Sequence, residues 1–103
     1  MIKIVALWTK PDDAEGFEAD YFGTHLRLAA KLPGLRDLTV SKAVGDAVYW
    51  RVTELVFDGM DELVAMGGSD AGQHLAEDAE RLQKEWGNRN DLVFVEIEER
   101  SLS

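Results

Sequence analysis

Along this chain the spacing of apolar residues alternates between every second position and every third or fourth, and the changes of period mark out its elements. Residues 2–9 (IKIVALWT) are almost continuously apolar and β-branched and stop at Lys10-Pro11. That composition predicts a strand buried on both faces. From Asp12 or Asp13, acidic residues suited to a helix N-terminus precede Phe17, Tyr21, His25, Leu28 and Leu32, spaced three or four apart. They predict an amphipathic helix closed by Pro33-Gly34. Period two returns over 35–44, with Leu38, Val40, Lys42 and Val44 on one side, and again over 49–57 after the turn signal Gly45-Asp46. These runs predict an antiparallel hairpin. Asp58, with Asp61 three residues on, predicts a cap for a short helix broken at Gly67-Gly68, and Ser69 caps a second helix reaching Trp86. After the turn Gly87-Asn88-Arg89-Asn90, residues 92–98 predict a last strand with Val93, Val95 and Ile97 on one face.

The order β-α-β-β-α-β predicts an α+β, ferredoxin-like domain spanning 1–103: a four-stranded antiparallel sheet with its two helical segments on one face. Apolar residues on both sides of the first and third strands leave the other sheet face too apolar for water. Pairing with a second copy would cover it, so a homodimer is expected.

Several segments resemble the EthD family, a branch of the dimeric α/β-barrel superfamily. They are the opening MIKIVAL, Thr24-His25 followed by Leu28-Ala29-Ala30-Lys31-Leu32-Pro33-Gly34-Leu35-Arg36, the stretch Thr53-Glu54-Leu55-Val56-Phe57-Asp58, Ser69-Asp70-Ala71-Gly72-Gln73 with Asp78, and Val93-Phe94-Val95-Glu96. The chain departs from the family pattern at Arg27, where proline is usual, at Leu38, where tyrosine is usual, and at Leu82, where phenylalanine is common. The resemblance implies a dimeric barrel with a small, mostly apolar cavity between sheet and helices. Proteins of this fold include cofactor-free monooxygenases, polyketide cyclases, lactone isomerases and haem-degrading enzymes, and EthD proteins are linked to ether degradation. Fold does not choose among these activities.

Composition removes other classes. A formal net charge of −9 disfavours phosphate backbones and anionic lipid, so neither nucleic acid nor membrane is an expected partner. The absence of cysteine removes disulfides, thiolate nucleophiles and thiolate-bound metals. The apolar opening is too short for a signal sequence and lacks a small-residue cleavage site, which makes the cytoplasm the expected compartment.

His25 is the candidate catalytic residue, because an imidazole exchanges protons near neutrality and because the resemblance matches it to the family's helix histidine. A satisfied core histidine is the competing reading. Glu54, between Val52 and Val56 and on the face of Trp50, needs a partner, for which Lys42 is a candidate. His74 and Asp78 are four apart on one helical face; turned inward they would pair to orient a proton donor, turned outward they would make a surface contact. No third ligand with metal-site spacing accompanies them, and no cofactor or metal is expected. Tyr21, Trp8 and Trp50, with Phe22 and Phe94, are core candidates that would also line a cavity for a planar organic ligand. Two functions stay open. One is a cofactor-independent acid/base enzyme, of isomerase, cyclase or monooxygenase type, acting on a hydrophobic carbonyl, phenolic or lactone compound. The other is a non-catalytic binding or accessory protein of an ether-degrading oxygenase system.

Overall fold

In a computed structural model, residues 1–100 of the chain are described. Strand β1 (Ile2–Thr9) leads into helix α1 (Ala14–Asp20), a π-helical turn (Tyr21–His25) and helix α2 (Leu26–Ala29). Strands β2 (Asp37–Lys42) and β3 (Tyr49–Phe57), helices α3 (Met60–Gly67) and α4 (Asp70–Trp86), and strand β4 (Asn90–Glu96) follow. The four strands form one antiparallel sheet in the order β2-β3-β1-β4, the ferredoxin-like arrangement. None of the described helices is long and apolar enough to cross a membrane.

Strand alternation assigns the two sheet faces. On the helix side Ile4, Ala6 and Trp8 of β1 stand beside Leu55, Thr53 and Arg51 of β3 and beside Phe94, Leu92 and Asn90 of β4. The strand read as buried on both sides therefore alternates: Ile4, Ala6 and Trp8 are buried, whereas Lys3, Val5 and Leu7 on the other face are half-buried in the single chain. That second face groups Val5, Leu7, Val52, Val56, Val93 and Val95 around one ion pair, Lys3 to Glu54 at 3.0 Å. Lys42 is not the partner of Glu54. It pairs in register with Arg51 on the helix side, and its ammonium lies 4.4 Å from the centre of the Trp50 ring.

The first helix departs from the simple periodic reading. Leu26 N–H bonds to the Tyr21 carbonyl five residues back, closing a π-helical turn. The wider turn takes up extra chain and changes the phase, so Leu26 and Ala29 are buried where Leu28 was expected to be and Leu28 is only half-buried. Tyr21 and His25, the first and last residues of this turn, both remain inward. Asp13 caps α1 by accepting from Gly16 N–H at 3.1 Å, and Ser69 caps α4 by accepting from Gly72 N–H at 3.0 Å. Asp58 does not cap α3, which starts from extended Gly59; its carboxylate instead meets Arg36 at 3.4 Å. The paired strands are shorter or shifted relative to the apolar runs, β2 ending at Lys42 and β4 running from Asn90 to Glu96, because ladder pairing rather than composition sets their ends.

The core has two parts. Ile4, Ala29, Leu32, Leu55, Phe57, Leu63 and Met66 form one, under α2 and α3. Trp8, Phe17, Tyr21, Leu26 and Leu82 form the other, under α1 and the end of α4. Fully burying each large side chain such as Phe17, Phe57 or Leu82 contributes about 1.5–3 kcal/mol. Between the two parts the packing leaves a cavity.

Candidate active site

The cavity measures about 290 Å³, near the lower end of the roughly 300–1,000 Å³ common for small-molecule sites. It takes one wall from each part of the core and is closed by the sheet below and the helices above. Most of its lining is apolar, Trp8 included; the polar exceptions are His25, Thr53 and Asn90. Leu92 and Phe94 line it from β4 while 53% and 57% exposed, so the cavity opens to solvent on that side of the sheet.

His25 is 7% exposed, and its Nδ1 lies 2.9 Å from an oxygen of Asp78, itself 9% exposed on the inner face of α4. The other Asp78 oxygen accepts from Arg81 Nε at 2.7 Å. Arg81 in turn grips both oxygens of Asp20 at 2.8 Å, and Asp20 accepts from the indole N–H of Trp86 at 2.9 Å. A chain of charge-assisted bonds thus runs from the end of α1 through α4 to the imidazole.

These partners determine the charge states. Burial would raise the carboxyl pKa of Asp78, but hydrogen bonds from Arg81 and His25 outweigh it and hold the value below the ordinary range. Asp20 is lowered too, chiefly by its bonds to Arg81. Burial dominates at His25 and pushes its pKa below the ordinary value against the pull of Asp78, whose charge Arg81 already balances. An ionised carboxylate only accepts hydrogen bonds, so Nδ1 carries the proton and the lone pair sits on Nε2. Nε2 has no hydrogen-bond partner among the described residues, and its ring forms part of the cavity wall.

Aromatic packing holds the ring in place. Trp8 meets it edge-on with centroids 5.3 Å apart, and Tyr21 stacks on it at 5.9 Å. Tyr21 is completely buried; its hydroxyl bonds to Thr53 and burial raises its pKa. It therefore supports the site from behind and does not line the cavity.

The candidate residues are only partly gathered here. His25, Asp78 and Trp8 come together, with Asp78 behind the histidine and outside the cavity lining. His74 does not join them. It is exposed, and the histidine partner of Asp78 is His25, from a distant part of the chain. Glu54 lies on the opposite sheet face with Lys3. A register irregularity after Trp8 leaves Trp50 packed against the helix-side cluster, off the face of Glu54 and outside the cavity. Phe22 is largely exposed and receives the Arg51 guanidinium over its ring at 4.9 Å. Arg81, Asp20, Thr53 and Asn90 escaped the sequence reading. Arg81 alone carried a local signal, a cation three residues beyond an acid on one helix face. Among the described residues no cluster of three or more His, Asp or Glu side chains could hold a metal ion.

With the fold and the histidine site in view, the likeness to solved structures becomes informative. An ethyl tert-butyl ether D (EthD) family protein from Bacillus halodurans superposes with a TM-score of 0.87 at 29% identity, over 95% of this chain and 99% of that one. This chain is EthD-like in both fold and sequence. More distant in sequence, SnoaB of Streptomyces nogalater, a cofactor-independent oxygenase, matches with a TM-score of 0.70 at 15% identity over 99% of this chain and 97% of its own. A dimeric ferredoxin-like protein of unknown function from Bacteroides fragilis matches at 0.64 and 13% identity, over 93% and 95% of the two chains. These two likenesses concern the fold. No family profile matches the EthD-like chain, and no curated protein does.

Proposed function

We propose that this EthD-like chain is a metal-free acid/base enzyme acting on a hydrophobic carbonyl, phenolic or lactone compound bound between sheet and helices, with His25 as the catalytic residue. The observation that carries the reading is the 2.9 Å contact of His25 Nδ1 with buried Asp78, which leaves Nε2 unpartnered at an apolar cavity. A neutral imidazole so held is a base at working pH. Nε2 takes a proton from an acidic C–H or O–H of the ligand, Asp78 stabilises the imidazolium formed, and the same nitrogen returns the proton to a second ligand atom. Such acid/base help supplies a rate factor of roughly 10² to 10⁴. Arg81 and Asp20 touch no ligand in this scheme and act as positioning residues through Asp78.

The active form is a homodimer in which the valine-rich sheet faces of two copies close a barrel. The exposed or half-buried valines on that face support this, as does the dimeric state of the Bacteroides fragilis protein that shares the fold.

The test starts with a ligand, found by screening flat phenols, quinones, lactones and aryl ketones for thermal stabilisation that grows with concentration. Proton exchange at the carbon next to the carbonyl of a bound ketone is then followed in D₂O by NMR. Wild-type protein accelerates the exchange and His25→Asn, which keeps a hydrogen-bonding side chain but cannot titrate, does not. Equal rates for the two proteins would remove the acid/base role.

A further inference from the structure

The cavity lining divides by accessibility. Its residues from β1, from β3 and from the segment between His25 and Leu32 are buried, as are Leu63 and Met66 of α3. The exposed ones are Gly67, Ala76, Leu92 and Phe94, and Leu75, Ala79 and Asn90 are half-buried. The opening therefore lies between α4 and β4, and its exposed rim carries no polar side chain. Ala76 contributes only a methyl group, so Leu92 and Phe94 supply most of the rim's apolar surface, and each is more than half exposed. Pairing of two copies does not account for that exposure. Strand alternation puts Leu92 and Phe94 on the helix side with Ala6 and Ile4, whereas Val93 and Val95 point to the valine-rich face through which the copies pair. Leu92 and Phe94 are instead continuous with the cavity, so a molecule that enters the cavity is in position to cover them.

Two further observations restrict that molecule. No Asp, Glu, Lys or Arg lines the cavity, so a charged group inside it would be desolvated without a partner. A cavity of about 150 Å³ takes benzene. At about 290 Å³ this one takes a ring with a short substituent, and a longer chain must leave through the opening.

We propose that the opening between α4 and β4 is a second subsite, in which Leu92 and Phe94 hold the apolar chain of a ligand whose uncharged ring and carbonyl occupy the cavity. The proposal rests on the reading of the cavity as a small-molecule site and adds the shape and charge of the compound: a neutral ring ketone or lactone bearing an alkyl chain of several carbons. Binding of such a chain removes the rim's apolar surface from water together with the chain's own, which is the driving force for the subsite.

A graded series of phenyl ketones tests it on the intact protein: acetophenone, butyrophenone, hexanophenone and octanophenone, with affinities measured by calorimetry. Affinity should rise along the whole series, by about tenfold for each two methylenes that are fully buried and about threefold where they lie along the open rim. The double variant Leu92→Ser, Phe94→Ser changes two exposed side chains on which the core does not depend. In it the series should level off after butyrophenone. Decanoate, an apolar chain ending in a carboxylate, should bind about tenfold or more weaker than octanophenone, and equal affinity would overturn the uncharged head. If acetophenone binds but longer chains gain nothing, or gain equally in the double variant, the subsite is wrong and the cavity remains a site for compact molecules. Failure of all four ketones to bind would overturn the cavity reading and this proposal with it.

Discussion

Asp78 pairs with His25 at 2.9 Å across fifty-three residues of sequence, while His74, one helical turn before it on the same helix, stays exposed. The pairing gives the imidazole its tautomer, and it ties α4 to the first helix by a hydrogen bond as well as by packing. Removing the carboxylate charge while keeping a hydrogen-bonding group isolates this contribution. Asp78→Asn is expected to lower stability by about 2 kcal/mol, the scale of a hydrogen bond to a charged group, and to reduce ligand turnover as His25→Asn does. Thermal denaturation should show a fall in Tm of about ten degrees, since 1 kcal/mol shifts a domain of this size by roughly 4–8 °C.

The pH dependence of stability has a definite sign. His25 has a folded pKa below its unfolded value, because burial disfavours the imidazolium. Between those two values the unfolded chain binds the proton and the folded chain does not, so stability falls as pH drops below the ordinary histidine value near 6.5. Asp78 and Asp20, both lowered, add a further loss as pH falls below the ordinary carboxylate value. Urea unfolding at pH 7.5 and 5.0 should show a loss in wild-type protein that His25→Asn reduces. An unchanged loss in the variant would place the acid sensitivity elsewhere.

Arg81 balances the charge of Asp78. Replacing it by Gln leaves that carboxylate without its strongest partner, so its attraction for a proton on the ring grows and the His25 pKa should rise. An NMR titration of the imidazole resonances reads this directly. A merely structural Arg81 would lower Tm and leave the titration midpoint where it was.

Two glycines at the junction of α3 and α4 make a controlled pair. A Cβ at Gly72 would collide with the Met66 carbonyl oxygen, a backbone atom that cannot move aside without parting the two helices. A Cβ at Gly67 would meet nothing within 4 Å. Gly72→Ala should therefore cost about 1–3 kcal/mol by overpacking, whereas Gly67→Ala, replacing glycine at the helix end, should be neutral or stabilising by up to about 1 kcal/mol. Circular-dichroism melts of the two variants decide the contrast.

The valine-rich sheet face predicts the assembly. Wild-type protein should sediment as a dimer at micromolar concentration. Val93→Lys, placing a charge on that face and away from the cavity, should shift it to monomer. A wild-type monomer that is stable and well folded would remove the barrel.

Periodicity and punctuation carried most of the architecture. Asp13, Ser69 and Gly87 stand at helix ends and act through backbone groups within a few residues, so their roles were legible without any knowledge of the fold. His25 was legible as inward because Phe17 and Tyr21 precede it at helical spacing. What lay beyond reach was every contact made across elements. Whether Asp78 would meet His74 or His25 depends on how α4 is rotated over the first helix, and the π-helical turn at Tyr21–His25 changes that phase in a way no 3.6-residue pattern records. Lys42 stood as the candidate partner of Glu54 until strand register put Lys42 on one face of the sheet and Lys3 on the other, with Glu54. Local propensity is written residue by residue, and it sufficed for the order of strands and helices and for the caps at Asp13 and Ser69, while Asp58 and the strand ends were decided by packing and pairing. The site depends on side chains drawn from β1, the π-helical turn, α4 and β4, and only the packing of sheet against helices could bring them to one cavity.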